Sequence, residues 1–209
     1  MEHFRRRKRF WLLLGIVALA MGSAMILLRW YESTLPLEVH ARRAARAVLK
    51  GDVRTAWRYT IPEENERIGI TEEKFREIFA TIVRPALRSY QLQHIETDVT
   101  SDEAAAMALC LLRDSEGNEF EFPLKVYRTS DGAGYDVNSL IVVCWYAEAA
   151  ARSEPLNTKE DLTRARVEGL KRSISLFQRL HLRGLAPYPG AEMLPWEYWL
   201  ERWAQATQD

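Results

Sequence analysis

The chain has 209 residues, of which 47% are hydrophobic and 28% charged, a composition that excludes a wholly disordered or collagen-like protein. Its length fits one ordinary domain with additional segments. Five of the 29 cationic residues but only one of the 29 acidic residues lie within the first ten positions, which leaves 24 cations and 28 acids in the remainder. A net acidic remainder does not fit a general nucleic-acid binder, so we expect no nucleic-acid partner.

Residues 10–28 form an apolar segment without a charged residue. As a helix, this segment is about 28 Å long, close to the hydrocarbon thickness of a bilayer. Aromatic rings flank it at both ends, where the headgroup layer favours them. We therefore predict a transmembrane helix, with the lipid bilayer as a partner and with these anchoring residues: Trp11, Leu12, Leu13, Leu14, Ile16, Val17, Leu19, Ile26, Leu27, Leu28 and Trp30.

The orientation of this helix is predicted by the cations of the preceding tail, residues 1–9, because positively charged flanks stay in the cytoplasm. The interpretation is a single-pass plasma-membrane protein whose later residues are extracytoplasmic, or periplasmic in a Gram-negative cell. A cleaved signal peptide is the alternative, since residues 22–24 are small; however, the apolar run continues through residues 25–28, which favours an uncleaved anchor. The cations that set this topology are Arg5, Arg6, Arg7, Lys8 and Arg9.

After a linker at residues 29–34, residues 35–150 have the pattern of an α+β domain, with helices first and strands afterwards. The first predicted helix follows Thr34 and ends at Gly51, and Asp52 and Thr71 are N-caps of two more. The Arg84-Pro85 pair predicts the end of the third helix.

The pattern then alternates with period two, which predicts a four-stranded antiparallel meander. The predicted strands are 88–99, 103–112, 119–126 and 135–146. The last contains the unbroken apolar run 140–145, which predicts a strand covered on both faces.

This order of elements resembles the nuclear transport factor 2-like (cystatin-like cone) superfamily, in particular its small exported bacterial domains. The resemblance is carried by the sequence patterns at 44–57, 70–75 and 129–137. It implies a curved sheet wrapped around the helices to form a cone, sometimes with an open mouth. The chain departs from the family in having Tyr135 where Trp is commoner and in its C-terminal addition, residues 151–209.

Residues 151–209 are predicted to be a helical extension. Asn157 and Glu160 have the spacing of a capping box, and Gly184 can end the helix. A basic amphipathic helix could lie on anionic headgroups or bind an acidic partner; we favour docking of its apolar face on the preceding domain, with its cations solvated. These cations are Lys159, Arg164, Arg166, Lys171, Arg172, Arg179 and Arg183.

Trp196, Trp199 and Trp203 follow at the spacing of one helical face. Such a face is costly to leave in water. It is the candidate contact face for a protein partner or a second copy in a homo-oligomer, although packing on its own domain is the favoured alternative.

No metal, cofactor or catalytic motif occurs in the sequence, so we predict no cofactor and no metal. Some cone-fold relatives are enzymes, and the resemblance offers Trp57, Tyr59, Tyr90 and His94 as a candidate pocket. Cys110 and Cys144 are predicted to lie on strands separated by a third strand, too far apart for a disulfide, and therefore to be free and buried.

The function predicted from the sequence is a membrane-anchored, non-catalytic scaffold or binding module on the outer face of the plasma membrane. Two alternatives stay open: a component of an envelope secretion or transport assembly, and a cavity-type enzyme or small-ligand binder.

Overall fold

The computed structural model describes residues 17–24, 27, 31, 34–102, 104–130, 132–186 and 189–206. The chain divides into two compact units, Met1–Pro36 and Leu37–Asp209. In the first unit, residues 17–24 are helical. No helix within the described residues is both long enough and apolar enough to cross a membrane.

Most of the predicted anchor and all of its flanking cations lie outside the described residues. Of the anchor, only Val17, Leu19 and Leu27 are described, and all three are exposed. The predicted anchor residues outside the described part are Trp11, Leu12, Leu13, Leu14, Ile16, Ile26, Leu28 and Trp30, and the topology residues outside it are Arg5, Arg6, Arg7, Lys8 and Arg9.

The second unit is an α+β structure with a four-stranded antiparallel sheet of order β1-β2-β3-β4. Its elements are α1 (Leu37–Lys50), α2 (Val53–Arg58), α3 (Pro62–Ile68), α4 (Glu72–Ile78), a π-helix (Phe79–Val83), α5 (Arg84–Leu87), β1 (Gln91–Val99), β2 (Ala105–Arg113), β3 (Glu119–Thr129), β4 (Gly132–Tyr135), α6 (Val137–Ala151), α7 (Lys159–Arg179) and α8 (Trp196–Gln205).

The predicted N-caps of α2 and α4 are confirmed. The Asp52 carboxylate accepts from the backbone N–H of Thr55, and the Thr71 hydroxyl accepts from that of Lys74. The prediction that Arg84-Pro85 ends the third helix was wrong, because the turn before the proline is π-helical, with the Arg84 N–H donating to the Phe79 carbonyl, and the helical backbone continues past it. Helical backbone continues through the π-helix into α5, whose first turn contains Pro85. Helix α3 has no counterpart among the helices predicted from the sequence.

The predicted fourth strand, 135–146, was wrong. The strand ends at Tyr135, which pairs with Val126 of β3, and residues 137–151 form α6. The carboxylate of Asp136 caps this helix by accepting from the N–H groups of Asn138 and Ser139. A helix buried on most sides shows no polar face, so its apolar run has the same pattern as a buried strand.

Both cysteines are buried with free thiols. The reason given from the sequence does not hold, because Cys144 lies on α6 rather than on a strand.

The core lies between the sheet and its helices. Helix α1 packs across β1, β2 and β3, and α6 packs against α5, α7 and β3. The Tyr135 ring is fully buried and its hydroxyl donates to the carbonyl of Ala56 at 2.9 Å, which ties the sheet to α2. The largest fully buried side chain, Trp145 of α6, donates its indole N–H to Ser173 of α7 at 3.1 Å.

The C-terminal residues form α7 and α8, which pack together. The capping box of α7 consists of Thr158 and Asp161, one residue later than the predicted pair, Asn157 and Glu160. The helix ends at Arg179 rather than at the predicted Gly184.

Candidate functional site

The first turn of α6 presents two polar side chains, those of Asn138 and Ser139. The buried Asp136 carboxylate holds this turn by accepting from the Asn138 N–H at 3.2 Å, the Ser139 N–H at 3.0 Å and the Ser139 hydroxyl at 2.9 Å. The position of both side chains therefore follows from the capping of the helix.

The Asn138 side chain is 3% exposed, and neither its Oδ1 nor its Nδ2 has a hydrogen-bond partner among the described residues. Buried polar groups in folded proteins are nearly always hydrogen-bonded. Leaving one unpaired costs about 1–3 kcal/mol. The amide of Asn138 is thus an uncompensated donor and acceptor inside the protein.

Asn138 is one of the residues that line a cavity of about 290 Å³ between α6, α7, α8 and the segment after α7. Three of the nine lining residues are polar, and the other six are aliphatic or aromatic. The lining residues are Asn138, Ser139, Val142, Val143, Arg166, Leu185, Ala186, Trp199 and Trp203.

Two indole rings form the α8 side of the cavity. Trp199 is buried and donates its Nε1–H to the Leu185 carbonyl at 3.0 Å, and the half-buried Trp203 ring lies 5.2 Å from it. Because the Trp199 indole is held by this bond, the aromatic wall has a fixed orientation.

Arg166 of α7 supplies the cation of the cavity. Its guanidinium carbon lies 5.5 Å from the Tyr146 ring centre and 5.9 Å from that of Trp203, and its Nε donates to the Tyr146 hydroxyl. The rings and the hydroxyl hold the charged group beside the aromatic wall, and no acid pairs with it among the described residues.

Hydrogen bonds within the segment after α7 and from this segment to α3 hold it in place. Leu185 and Leu194 exchange two backbone hydrogen bonds of 3.1 and 3.0 Å. The buried Glu64 carboxylate of α3 accepts from the Gly190 N–H at 2.8 Å and pairs with Arg67, which also donates to the Ala191 carbonyl. These bonds fix the wall that contains Leu185.

Burial raises the pKa of Asp136, and the nearby Glu64 charge adds to this, against the lowering effect of the hydrogen bonds from Ser139 and Asn138. Asp136 is not part of the cavity lining. Arg166 is the one ionisable side chain among the lining residues that the structure describes.

The structure places the three predicted contact-face tryptophans differently from one another. Trp196 is buried and stacked on Phe177, with ring centres 4.5 Å apart. Trp199 and Trp203 line the cavity. Much of this face therefore lies against the chain's own α7.

The predicted pocket residues are not brought together. Trp57 packs on Phe75, and Tyr59 lies 6.0 Å from the His40 ring. Tyr90 donates to the Ala147 carbonyl at 3.1 Å beside α6, whereas His94 is exposed on β1. Trp57 alone of the four lines a further cavity, near α3, where the buried Asn65 Oδ1 is unpaired but its Nδ2 donates to Thr60.

None of the three polar lining residues was predicted from the sequence as a site residue: Asn138, Ser139 and Arg166. One signal was available: Asp136 stands just before an apolar run, and Asp is a favoured N-cap residue at the start of a helix.

No group of His, Cys, Asp and Glu suited to a metal ion occurs in the described ranges. The chain matches no protein-family model, no curated protein and no solved structure.

Proposed function

We propose that this protein is a membrane-anchored, non-catalytic binding module that holds a small organic anion in the cavity between α6, α7 and α8. The observation that carries the proposal is the unpaired amide of the buried Asn138. Rotation of this amide into the cavity lets a ligand accept from its Nδ2 and donate to its Oδ1, directly or through water, which removes the cost of the unpaired group.

The chemistry of the walls selects the ligand class. The guanidinium of Arg166 favours an anionic group such as a carboxylate. The rings of Trp199 and Trp203 favour an apolar or aromatic body. The volume of about 290 Å³ lies near the lower end of the range for small-molecule sites, about 300–1,000 Å³.

Binding is favoured over catalysis by the protonation chemistry of the lining. General acid–base catalysis needs a group whose pKa lies near the working pH. The described lining residues include no carboxylate, imidazole, thiol or phenol, and their one ionisable side chain, Arg166, is a hydrogen-bond donor without an acceptor.

The membrane anchor is supported by the uncharged segment 10–28 and its one-sided cations. The helical residues of this segment include Val17, Leu19 and Met21, each more than half exposed. Exposed apolar side chains of this size favour contact with lipid over contact with water. The cone-like form of the second unit, a remote nuclear transport factor 2-like fold, is likewise a proposal, supported by the packing of α1 across an antiparallel sheet.

Asn138→Leu tests the binding site, because leucine has a similar volume and lacks the unpaired polar atoms. We expect the variant to be more stable to urea by about 1–3 kcal/mol. Fluorobenzoate, observed by fluorine NMR, should show line broadening with the parent protein and none with Asn138→Leu.

The matched control is Asn157→Leu, since Asn157 is exposed just before α7. It should change neither stability nor the fluorobenzoate signal. An uncharged analogue, fluorobenzyl alcohol, should bind more weakly than fluorobenzoate to the parent protein and equally weakly to Arg166→Gln. Broadening of the fluorobenzoate signal that persists in both Asn138→Leu and Arg166→Gln would refute this site.

A further inference from the structure

The exposed side chains of α1 are all cations. The buried face of this helix, including Ala41, Ala44 and Val48, packs on the sheet. The opposite face presents Arg42, Arg43, Arg46 and Lys50. Arg43, Arg46 and Lys50 follow at i, i+3 and i+7, so they form one stripe along the helix.

None of these four cations forms an ion pair with an acid in the described part of the chain; Arg42 donates to the hydroxyl of Thr97 at 3.4 Å. The basic helix α7 is different, because acids neutralise most of its cations. Its pairs are Arg164 with Asp161, Lys171 with Glu168, Arg172 with Glu148 and Arg179 with Glu77. The unneutralised positive surface therefore belongs to α1 and not to α7.

The stripe continues into a cleft of about 330 Å³ at the C-terminal end of α1. Lys50, Arg84 and Arg88 are exposed at this cleft and have no acidic partner among the described residues. Leu49 is partly exposed at this cleft, and the other apolar lining residues are buried beneath it: Val48, Phe79, Val83 and Leu87. A phosphate between the cations matches this arrangement.

The position of α1 in the sequence favours a lipid surface over other polyanions. The helix begins at Leu37, and only residues 29–36 separate it from the predicted anchor. Eight extended residues span at most about 29 Å. The stripe is therefore tethered close to any bilayer that holds the anchor.

We propose that Arg43, Arg46 and Lys50, together with Arg84 and Arg88, bind the headgroups of anionic phospholipids. This inference rests on the anchoring part of the proposed function and is independent of the ligand cavity. The contact holds the second unit against the membrane surface through the outer face of α1.

The experiment uses the full chain in nanodiscs of phosphatidylcholine, with or without a quarter of phosphatidylglycerol. Ser89 is exposed beside Arg88, and both native cysteines are buried, so Ser89→Cys offers a selective site for a polarity-sensitive dye. The dye should report a less polar environment only in discs with phosphatidylglycerol. About 1 M salt should abolish the response, because it shortens the screening length to about 3 Å.

Replacing Arg43, Arg46 and Lys50 by Gln should weaken the contact about fivefold for each cation replaced. The control with equal charge change replaces Arg164, Lys171 and Arg179 of α7 by Gln and should keep the full response. Incorporation into the discs without any response to lipid charge would overturn the lipid contact alone. A chain that does not stay with the discs would overturn the anchor and this contact together, while leaving the fluorobenzoate test unaffected.

Discussion

Gly169 of α7 lies against the ring of Trp145 of α6 so closely that no side chain fits between them. A Cβ placed at Gly169 would lie 2.6 Å from Cδ1 of the indole and closer still to Cγ and Cδ2. One turn later, Ser173 accepts the hydrogen bond of the same indole. Gly169 and Ser173 together form the surface of α7 on which Trp145, the largest fully buried side chain, packs.

Gly169→Ala should therefore destabilise the protein by about 1–3 kcal/mol, because an extra methyl group overpacks this contact. The sign is diagnostic, since alanine in place of glycine inside an unstrained helix normally stabilises by about 0.5–1 kcal/mol. Urea unfolding followed by circular dichroism measures the difference.

The control is the same substitution in a Trp145→Leu background, where the indole is absent. There Gly169→Ala should be neutral or stabilising. The coupling free energy from the double-mutant cycle should therefore have the opposite sign to the destabilisation that Gly169→Ala causes in the parent protein. Equal effects of Gly169→Ala in both backgrounds would contradict the contact.

The sequence predicted much of the local structure but neither α3 nor α6. The caps at Asp52 and Thr71 are short-range signals and were readable without any tertiary information. The residues of α6 include the β-branched run Ile141, Val142 and Val143, which favours a strand locally. Burial of α6 between α7, α5 and β3 overrode this preference, and burial is set by distant parts of the chain.

The candidate site was predictable only in part, for a similar reason. The spacing of Trp199 and Trp203 marked one face of a helix in the sequence. Asn138 carried no such signal, because an unpaired amide is recognised only when its surroundings are known. The same holds for α1, which has four cations against six in α7. The cations of α1 differ from most of those of α7 in forming no ion pair with an acid among the described residues.

Both cysteines should be unreactive in the folded protein. Burial raises the pKa of the Cys110 thiol to about 12 and also raises that of Cys144, so almost no thiolate exists at pH 8. A chromogenic disulfide reagent should detect no thiol in buffer and two thiols per chain in concentrated urea. Rapid release of colour from the native protein would contradict this burial.

Asp136 should make stability depend on pH in the direction opposite to that of most carboxylates. Burial raises its pKa above the ordinary value of 3.8, so the folded state binds more protons than the unfolded chain between the two values. The contribution of Asp136 to the free energy of unfolding is fully present below its pKa in the unfolded state. It is lost as pH rises through its pKa in the folded state. Asp136→Asn keeps a good N-cap but has no carboxyl group to titrate. The free energy of unfolding of the variant minus that of the parent protein should therefore rise with pH across this window. A difference that stays constant with pH would contradict the raised pKa.

The anchor predicts how the whole chain fractionates. Deletion of residues 10–28 should release the protein from membranes that retain the full chain after alkaline washing, because about 20 apolar residues suffice for stable insertion. Substituting Arg43, Arg46 and Lys50 by Gln should leave retention unchanged, since surface charge adds only to an existing anchor. Equal release of the full and the deleted chains would refute the anchor.

Glu64 should control the order of the segment that forms one wall of the cavity. Glu64→Gln keeps the shape but removes the charge from the bonds to Arg67 and the Gly190 N–H, at 2.9 and 2.8 Å. Charged hydrogen bonds contribute about 1.5–3 kcal/mol each, so we expect faster amide exchange at residues 189–194 and weaker fluorobenzoate binding. The control is Glu66→Gln on the same helix, where the side chain is exposed and should leave both unchanged. If Glu64→Gln weakened binding without faster exchange in the segment, the carboxylate would have to act on the ligand directly instead of through the wall.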